Sequence, residues 1–295
     1  MRVFVTGATG FIGSAVVREL IDAGHQVIGL TRSDAGAEAL SQAGAEVHRG
    51  DIYDLESIRA GAAKADAVIH LAFDHDFSRF VEVCETDRRV IEALGSALEG
   101  TGRPLIVTSG TALAISAPGV PGTENDAILS SKMMPRALSE ETAASFAGRG
   151  VRVIIVRLPQ VHNTEKQGLV TQAIRIAREK GVSAYVGDGS NRWPAAHRLD
   201  VAHLYRLALE KGTPATYHAV AEEGIPTREI SETVGKGLNV PVVSLTQEEA
   251  EGHFGWLAMF VGRDRPASSA QTRKQLGWEP TGPGMIEDLK NMRYS

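Results

Sequence analysis

The stretch Arg2-Val3-Phe4-Val5-Thr6-Gly7-Ala8-Thr9-Gly10-Phe11-Ile12-Gly13 decides how this chain is read. A β-branched and aromatic run stops at a glycine, then reopens as an apolar helix carrying Phe11, Ile12, Ala15, Val16, Leu20 and Ile21. That order predicts a strand, a tight turn and a helix N-terminus. Unpaired backbone N–H groups and the positive end of a helix dipole then converge on one point, which suits a pyrophosphate. Gly7 permits the turn, Gly10 lets backbone approach phosphates, and Gly13 lets the helix pack close on the strand. Gly24 and a second strand, Gln26-Val27-Ile28-Gly29-Leu30, complete a βαβ unit, the context that separates a dinucleotide cradle from a merely structural turn. The spacing is G-x-x-G-x-x-G rather than the more general G-x-G-x-x-G.

With 295 residues, 43% hydrophobic and 23% charged, the chain has core enough for one large domain or two coupled ones. A net charge of −5 with no basic cluster argues against a nucleic-acid partner. The single cysteine, Cys84, rules out an internal disulfide and is consistent with a reducing compartment. No apolar run approaches the roughly 20 residues of a membrane span. The first residues already form the nucleotide-binding strand, so no signal peptide is expected. These features lead to the expectation of a soluble cytoplasmic protein without a membrane partner.

Strands read at 45–49, 67–72, 104–108 and 151–156 alternate with helices, among them 80–98 with Val81, Cys84, Val90, Ile91 and Leu94 as apolar positions. The stretch 112–131, rich in Gly, Pro and Ser, reads as a long active-site loop. Pro135 suits the first turn of a helix ending near Ala147. Beyond it come a helix (168–180), a strand (183–186), a helix (200–209), a strand returning to the main sheet (216–221), a helix from Thr227, a strand (240–245) and short helices between 268 and 289. The expected fold is α/β: a doubly wound parallel Rossmann sheet over 1–163, with 196–224 returning to it. Segments 164–195 and 225–295 form a smaller C-terminal α/β substrate lobe over the cofactor cleft.

This order of landmarks resembles the extended short-chain dehydrogenase/reductase family, also called the NAD(P)-dependent epimerase/dehydratase family. The resemblance runs through Thr6–Gly13, Gly50-Asp51-Ile52, His70-Leu71-Ala72, Arg157-Leu158-Pro159-Gln160-Val161, Gly187-Asp188-Gly189, His197-Arg198-Leu199-Asp200-Val201-Ala202 and Leu276-Gly277-Trp278-Glu279-Pro280. It implies a cofactor held by Gly7, Thr9, Gly10, Phe11, Ile12 and Gly13 at the pyrophosphate, Thr31, Arg32 and Ser33 at the ribose 2′ position, and Asp51 and Ile52 at the adenine. Leu71, Ala72, Phe73, Thr108, Leu158, Pro159 and Val161 line the nicotinamide side, and Arg136 takes the nicotinamide ribose. Extended members of the family often pair through two helices; Leu94, Leu98, Ala143 and Phe146 could serve such a homodimer or simply face the sheet.

The family's Tyr-x-x-x-Lys, whose tyrosine passes a proton as hydride moves, is missing. None of Tyr53, Tyr185, Tyr205, Tyr217 and Tyr294 has a lysine four residues later. Placing Ser139-Glu140 on the family's Ala-Glu puts Lys132 at the tyrosine position and Arg136 at the lysine position. The family's serine falls within Thr108-Ser109-Gly110-Thr111, which makes Ser109 and Thr111 catalytic candidates. Arg32, at the end of the second strand, accommodates a 2′-phosphate, so NADP(H) is expected over NAD(H).

Asp74-His75-Asp76 reads as a solvated loop, with no set of ligands for a metal ion and with His75 as a candidate proton donor. His162 follows the sixth strand beside the expected nicotinamide pocket. Arg192 could hold a phosphate or carboxylate, and Trp193 could wall the substrate pocket or pack between lobes. Three functions follow: an NADP-dependent reductase or dehydrogenase of small carbonyls or alcohols with a non-standard acid/base, a non-catalytic NADP-binding sensor, and sugar-nucleotide epimerisation or dehydration. The last leans most on the absent tyrosine, and the first is favoured.

Overall fold

The computed structural model describes residues 1–294. Strands β1 (Arg2–Thr6), β2 (Gln26–Thr31), β3 (Glu46–Arg49), β4 (Ala67–His70), β5 (Pro104–Gly110) and β6 (Arg152–Leu158) come first in the chain. They are followed by β7 (Gln160–His162), β8 (Ser183–Val186), β9 (Arg192–His197), β10 (Thr216–His218), β11 (Glu222–Pro226) and β12 (Val242–Leu245). The helices are α1 (Gly13–Asp22), α2 (Asp34–Gln42), α3 (Leu55–Ala63), α4 (Phe80–Leu98), α5 (Leu138–Ala144) and α6 (Val170–Lys180), then α7 (Arg198–Lys211), α8 (Thr227–Leu238), α9 (Gln247–Phe254), α10 (Ala258–Val261), α11 (Ala270–Leu276) and α12 (Met285–Asn291).

Seven strands form one parallel sheet in the order β10-β6-β5-β4-β1-β2-β3. Strands buried on both faces need near-continuous apolar side chains, and Val3-Phe4-Val5 and Val68-Ile69 are fully buried. One face packs on α1, α2, α7 and α11 through Val16, Leu20, Leu40, Tyr205 and Leu276. The other packs on α3, α4 and α5 through Ile58, Ile91, Leu94, Leu98, Ala143 and Phe146. These last four face the sheet, so they are not a dimer surface. The outer side of α4 carries ion pairs of Arg88 and Arg89 with Glu85 and of Arg88 with Glu92. Among the described residues no helix is long and apolar enough to cross a membrane.

The second half builds a separate core from Val170, Ile174, Trp193, Ile225, Ile230, Phe254 and Leu257. It contains a three-stranded sheet, β11-β9-β7, and the parallel pair β12-β8. The first of these escaped the sequence reading because β7 has three residues and β9 contains Pro194, a residue that argues against a strand. The strand expected at 216–221 does return to the main sheet, as its edge beside β6, but ends at His218. The helix expected from Pro135 to Ala147 is broken into a 3-10 turn at Pro135–Ala137, α5, and another at Ala147–Arg149. The tail crosses between the two cores. Leu276 and Trp278 lie in the core of the larger body, although 225–295 reads as lobe in the sequence.

Trp278 has no exposed surface, and its indole N–H donates to the Asp200 carbonyl at 2.9 Å. Trp278→Ala is expected to cost about 3–5 kcal/mol in urea unfolding, as for other buried aromatics. A cost below about 1 kcal/mol would show that the tail does not share in the cooperative core.

Candidate active site

The site lies at the carboxyl ends of β1, β4, β5 and β6, where open parallel sheets bind ligands. Its floor is the glycine turn. Gly7 adopts φ of +65°, and a Cβ there would stand 2.7 Å from the Ala72 nitrogen. A Cβ on Gly13 would overlap the Gly7 carbonyl oxygen. Gly10 N–H closes the turn onto that same carbonyl at 2.9 Å. No side chain caps α1, so its first N–H groups face the cradle. This donor set, opened by three missing Cβ atoms, fits a dinucleotide pyrophosphate. Thr9 and Gly10 are exposed there, and Phe11 and Ile12 are half-buried. Two cations that the sequence reading missed stand by Phe11: the Arg198 guanidinium 5.2 Å from its ring centre and the Lys166 ammonium at 5.9 Å.

After β2, Thr31 is buried and Ser33 caps α2 by accepting from Gly36 N–H at 3.1 Å. Arg32 is mostly exposed and donates to Asp51 at 3.3 Å. Such an exposed pair is worth little, about 0–1 kcal/mol, and yields readily to a better anion. Arg49, on the adjacent strand, pairs with Asp34.

At the ends of β1 and β4 a buried chain of hydrogen bonds runs from the glycine turn to Arg136. Thr6 Oγ1 accepts from the N–H groups of Leu71 (3.2 Å) and Ala72 (3.3 Å) and donates to His70 Nδ1 at 2.7 Å. Leu71 N–H also keeps its backbone bond to the Thr6 carbonyl at 3.3 Å, whereas Ala72 N–H turns to the hydroxyl, and β4 ends at His70. His70 Nε2 donates to Asp87 at 3.0 Å, the tautomer that this network selects. Asp87 also accepts from the Ser139 hydroxyl and from Arg136 at 3.0 Å. Arg136 donates further to Ser139 and to the Thr108 carbonyl at 2.8 Å, and its guanidinium lies 4.4 Å over the Phe73 ring. Burial pushes the Asp87 carboxyl up, yet the Arg136 charge, with His70 and Ser139, outweighs it and holds the pKa below its ordinary value. Asp87 was missed in the sequence, where one signal existed: it interrupts the apolar face of Val83, Cys84, Val90 and Ile91 with a charge.

On β5, Thr108 Oγ1 donates to the His70 carbonyl and meets the Tyr205 hydroxyl, each at 2.7 Å. Tyr205 is wholly buried, which drives its pKa up, so it offers no substitute for the absent tyrosine. The next residue, Ser109, is buried with its hydroxyl unpartnered. Thr111 donates at 3.4 Å to the carbonyl of Leu158, and Pro159 and Val161 follow on the same edge. Lys132 is exposed in the turn before Arg136. The Arg157 guanidinium forms a buried two-pronged pair with Glu140, both bonds 2.9 Å.

Several candidates fall elsewhere. His162 is fully buried and bonds Asp288 at 2.7 Å, with His197 beside it, so it belongs to the junction of β7, β9 and α12 rather than to an open pocket. Burial lowers its pKa. Arg192 is held by Asp264 at 2.8 Å and by the Gly119 carbonyl at 3.0 Å, so its charge is already matched and it is not free for an anion. Trp193 packs in the lobe core instead of walling a pocket. His75 is an exposed residue whose ring nonetheless sits edge-on between Phe73 and Phe77, and that partial desolvation lowers its pKa. Arg79 binds both Asp74 and Asp76. The loop of 112–131 is strapped down by the tail through Gly122 with Pro266 and Ser268 and Glu124 with Thr272.

The model of the NAD dependent epimerase/dehydratase family matches residues 3–219. The chain belongs to that family. An uncharacterized protein of Schizosaccharomyces pombe is 50% identical over the whole of both chains. The 2-alkyl-3-oxoalkanoate reductase of Stenotrophomonas maltophilia is 27% identical over 82% of this chain and 77% of its own. Among solved structures, a dTDP-glucose 4,6-dehydratase of Streptomyces venezuelae with NAD bound superposes with a TM-score of 0.79, 20% identity, and coverage of 99% and 95%. That likeness shows the shared fold. The family comprises NAD(P)-dependent epimerases, dehydratases and reductases.

Folding favours the deprotonated form of Asp87, because its folded pKa lies below the ordinary 3.8. Its contribution to stability is therefore complete above that value and is lost as pH falls through the folded pKa. The melting-temperature gap between wild type and Asp87→Asn is expected to narrow below about pH 4. A gap unchanged between about pH 7 and about pH 3 would contradict a charged Asp87.

Proposed function

We propose that this protein is an NADP(H)-dependent reductase of small carbonyl compounds that works without the family's tyrosine. The observation that carries the reading is the buried, unpartnered hydroxyl of Ser109, one residue along β5 from the carbonyl that anchors Arg136. A buried hydroxyl left unpaired costs about 1–3 kcal/mol, and a ligand oxygen arriving there repays that loss. Bound in the glycine cradle, NADPH supplies a hydride.

Arg136 then does two things with its fixed fork. It binds the nicotinamide ribose, and the Nε–H and second Nη2–H that Asp87, Ser139 and Thr108 leave unused donate to the substrate oxygen as it becomes anionic, the kind of stabilisation that most lowers such barriers. A guanidinium does not give up a proton near neutral pH. Lys132, four residues earlier and open to solvent, delivers the proton to the alkoxide. Ser109 fixes the carbonyl oxygen. At the far end, Arg32 leaves Asp51 for the 2′-phosphate, a charge-assisted contact stronger than the exposed pair it replaces. Support for reduction over sugar-nucleotide chemistry comes from the missing tyrosine and from the neutralised Arg192, and a reductase stands among the relatives.

The test is NADPH oxidation with a panel of aldehydes and ketones. Wild type is expected to turn over, and Arg136→Ala to lose about 10²–10³ in kcat, as when one oxyanion donor is removed. Tight NADPH binding with no turnover across the panel would favour the sensor reading instead. Arg32→Ala is expected to raise KM for NADPH about tenfold, equal to about 1.4 kcal/mol, and to leave KM for NADH unchanged. Equal effects on the two cofactors would remove the argument for NADP.

A further inference from the structure

We propose that Asp87 is a positioning residue: its carboxylate on α4 aims Arg136 at the bound cofactor and ties that aim to the glycine turn through His70 and Thr6. The inference rests on the role given above to Arg136. Three donors converge on this one buried carboxylate, from β4 (His70), α5 (Ser139) and the turn before α5 (Arg136). Arg136 sits in a 3-10 turn of three residues, Pro135–Ala137, too short to fix a long side chain by itself. Its direction therefore comes from its partners, Asp87 and the Thr108 carbonyl. Both lie on elements of the sheet body, so the guanidinium is referenced to the sheet and not to the loop that precedes it.

The other half of the chain points the opposite way. Thr6 is the last residue of β1 and stands in register with His70 of β4. Its hydroxyl gathers the N–H groups of Leu71 and Ala72, and Ala72 is the residue on which Gly7 closes. The same hydrogen-bonded chain thus touches the pyrophosphate turn at one end and the nicotinamide-side cation at the other. The side-chain donors converge on Asp87: Thr6 donates to His70, and His70, Ser139 and Arg136 donate to the carboxylate, with Arg136 donating to Ser139 as well. An asparagine at 87 keeps the shape but removes the charge and turns one acceptor into a donor facing other donors.

A double-mutant cycle decides the matter, with the full-length protein as wild type, Asp87→Asn, Arg136→Ala and both together. The readouts are NADPH affinity by fluorescence titration, melting temperature, and kcat and KM with the best carbonyl of the panel. Asp87→Asn is expected to weaken NADPH about tenfold in wild type and by less than about twofold in the Arg136→Ala background. Equal losses in both backgrounds would overturn the proposal and leave Asp87 a support of the fold alone. If Asp87→Asn fails to fold, Ser139→Ala takes its place, since it removes only the hydroxyl between carboxylate and guanidinium. It is expected to weaken NADPH about threefold in wild type and not at all beside Arg136→Ala, and equal losses again contradict the proposal. A wild type that binds NADPH and reduces nothing sinks the reductase reading, while the affinity cycle still decides the role of Asp87.

Discussion

Where β1 runs into α1, backbone approaches backbone with no room for a single Cβ. Gly7 lies on Leu71 and Ala72, and Gly13 lies on Gly7. That approach draws the ends of β1 and β4 and the N-terminus of α1 to one point, and it creates the anion cradle. It also sets the distance at which the Thr6 hydroxyl meets His70 at 2.7 Å. A larger residue at either glycine would push α1 off the sheet and break the path to Asp87 together with the cradle. Cofactor site and candidate catalytic site therefore depend on one steric condition.

Two buried ion pairs then fix what stands above the cradle. Arg136 and Glu140 are one helical turn apart, and each reaches a different body: Asp87 on α4 and Arg157 on β6. Burying such charges gains little against well-packed apolar side chains, but removing one partner costs about 3–5 kcal/mol. The pairs therefore contribute direction more than net stability. They clamp the start of α5 against β5 and β6 and hold the Arg136 guanidinium against the end of β5. The outlying loop, 112–131, has its own clamp in the tail, so the far side of the cleft is tied to the C-terminal segment.

Much of this was legible in the sequence. The glycine spacing, the βαβ context and the downstream landmarks led to the doubly wound sheet and to the family. The helix at Phe80–Leu98 and the strand at Ser183–Val186 match to the residue, because long apolar periodicity and flanking glycine are local signals. Other features were not local. Which of Leu94, Leu98, Ala143 and Phe146 face the sheet depends on how α4 and α5 meet. Arg192 looked free because its partner, Asp264, is 72 residues away, and no spacing rule connects them. His162 looked like a pocket residue by its place after β6, yet Asp288 and His197 close around it. Asp87 was the converse case: a charge within an apolar stripe was visible, while its meaning required β4 and α5 to be folded beside it.

On the proposed reading, hydride passes from the bound nicotinamide to a carbonyl carbon at a site where Lys132 supplies the proton in place of tyrosine and Arg136 stabilises the developing oxyanion. Mass spectrometry of the product formed from NADPH deuterated at nicotinamide C4 tests it most directly. The account predicts one deuterium on the carbinol carbon with the wild type, transferred from a single face of the nicotinamide, and a rate that collapses with Arg136→Ala. Product lacking deuterium, or labelled equally fast by the Arg136→Ala variant, would contradict it.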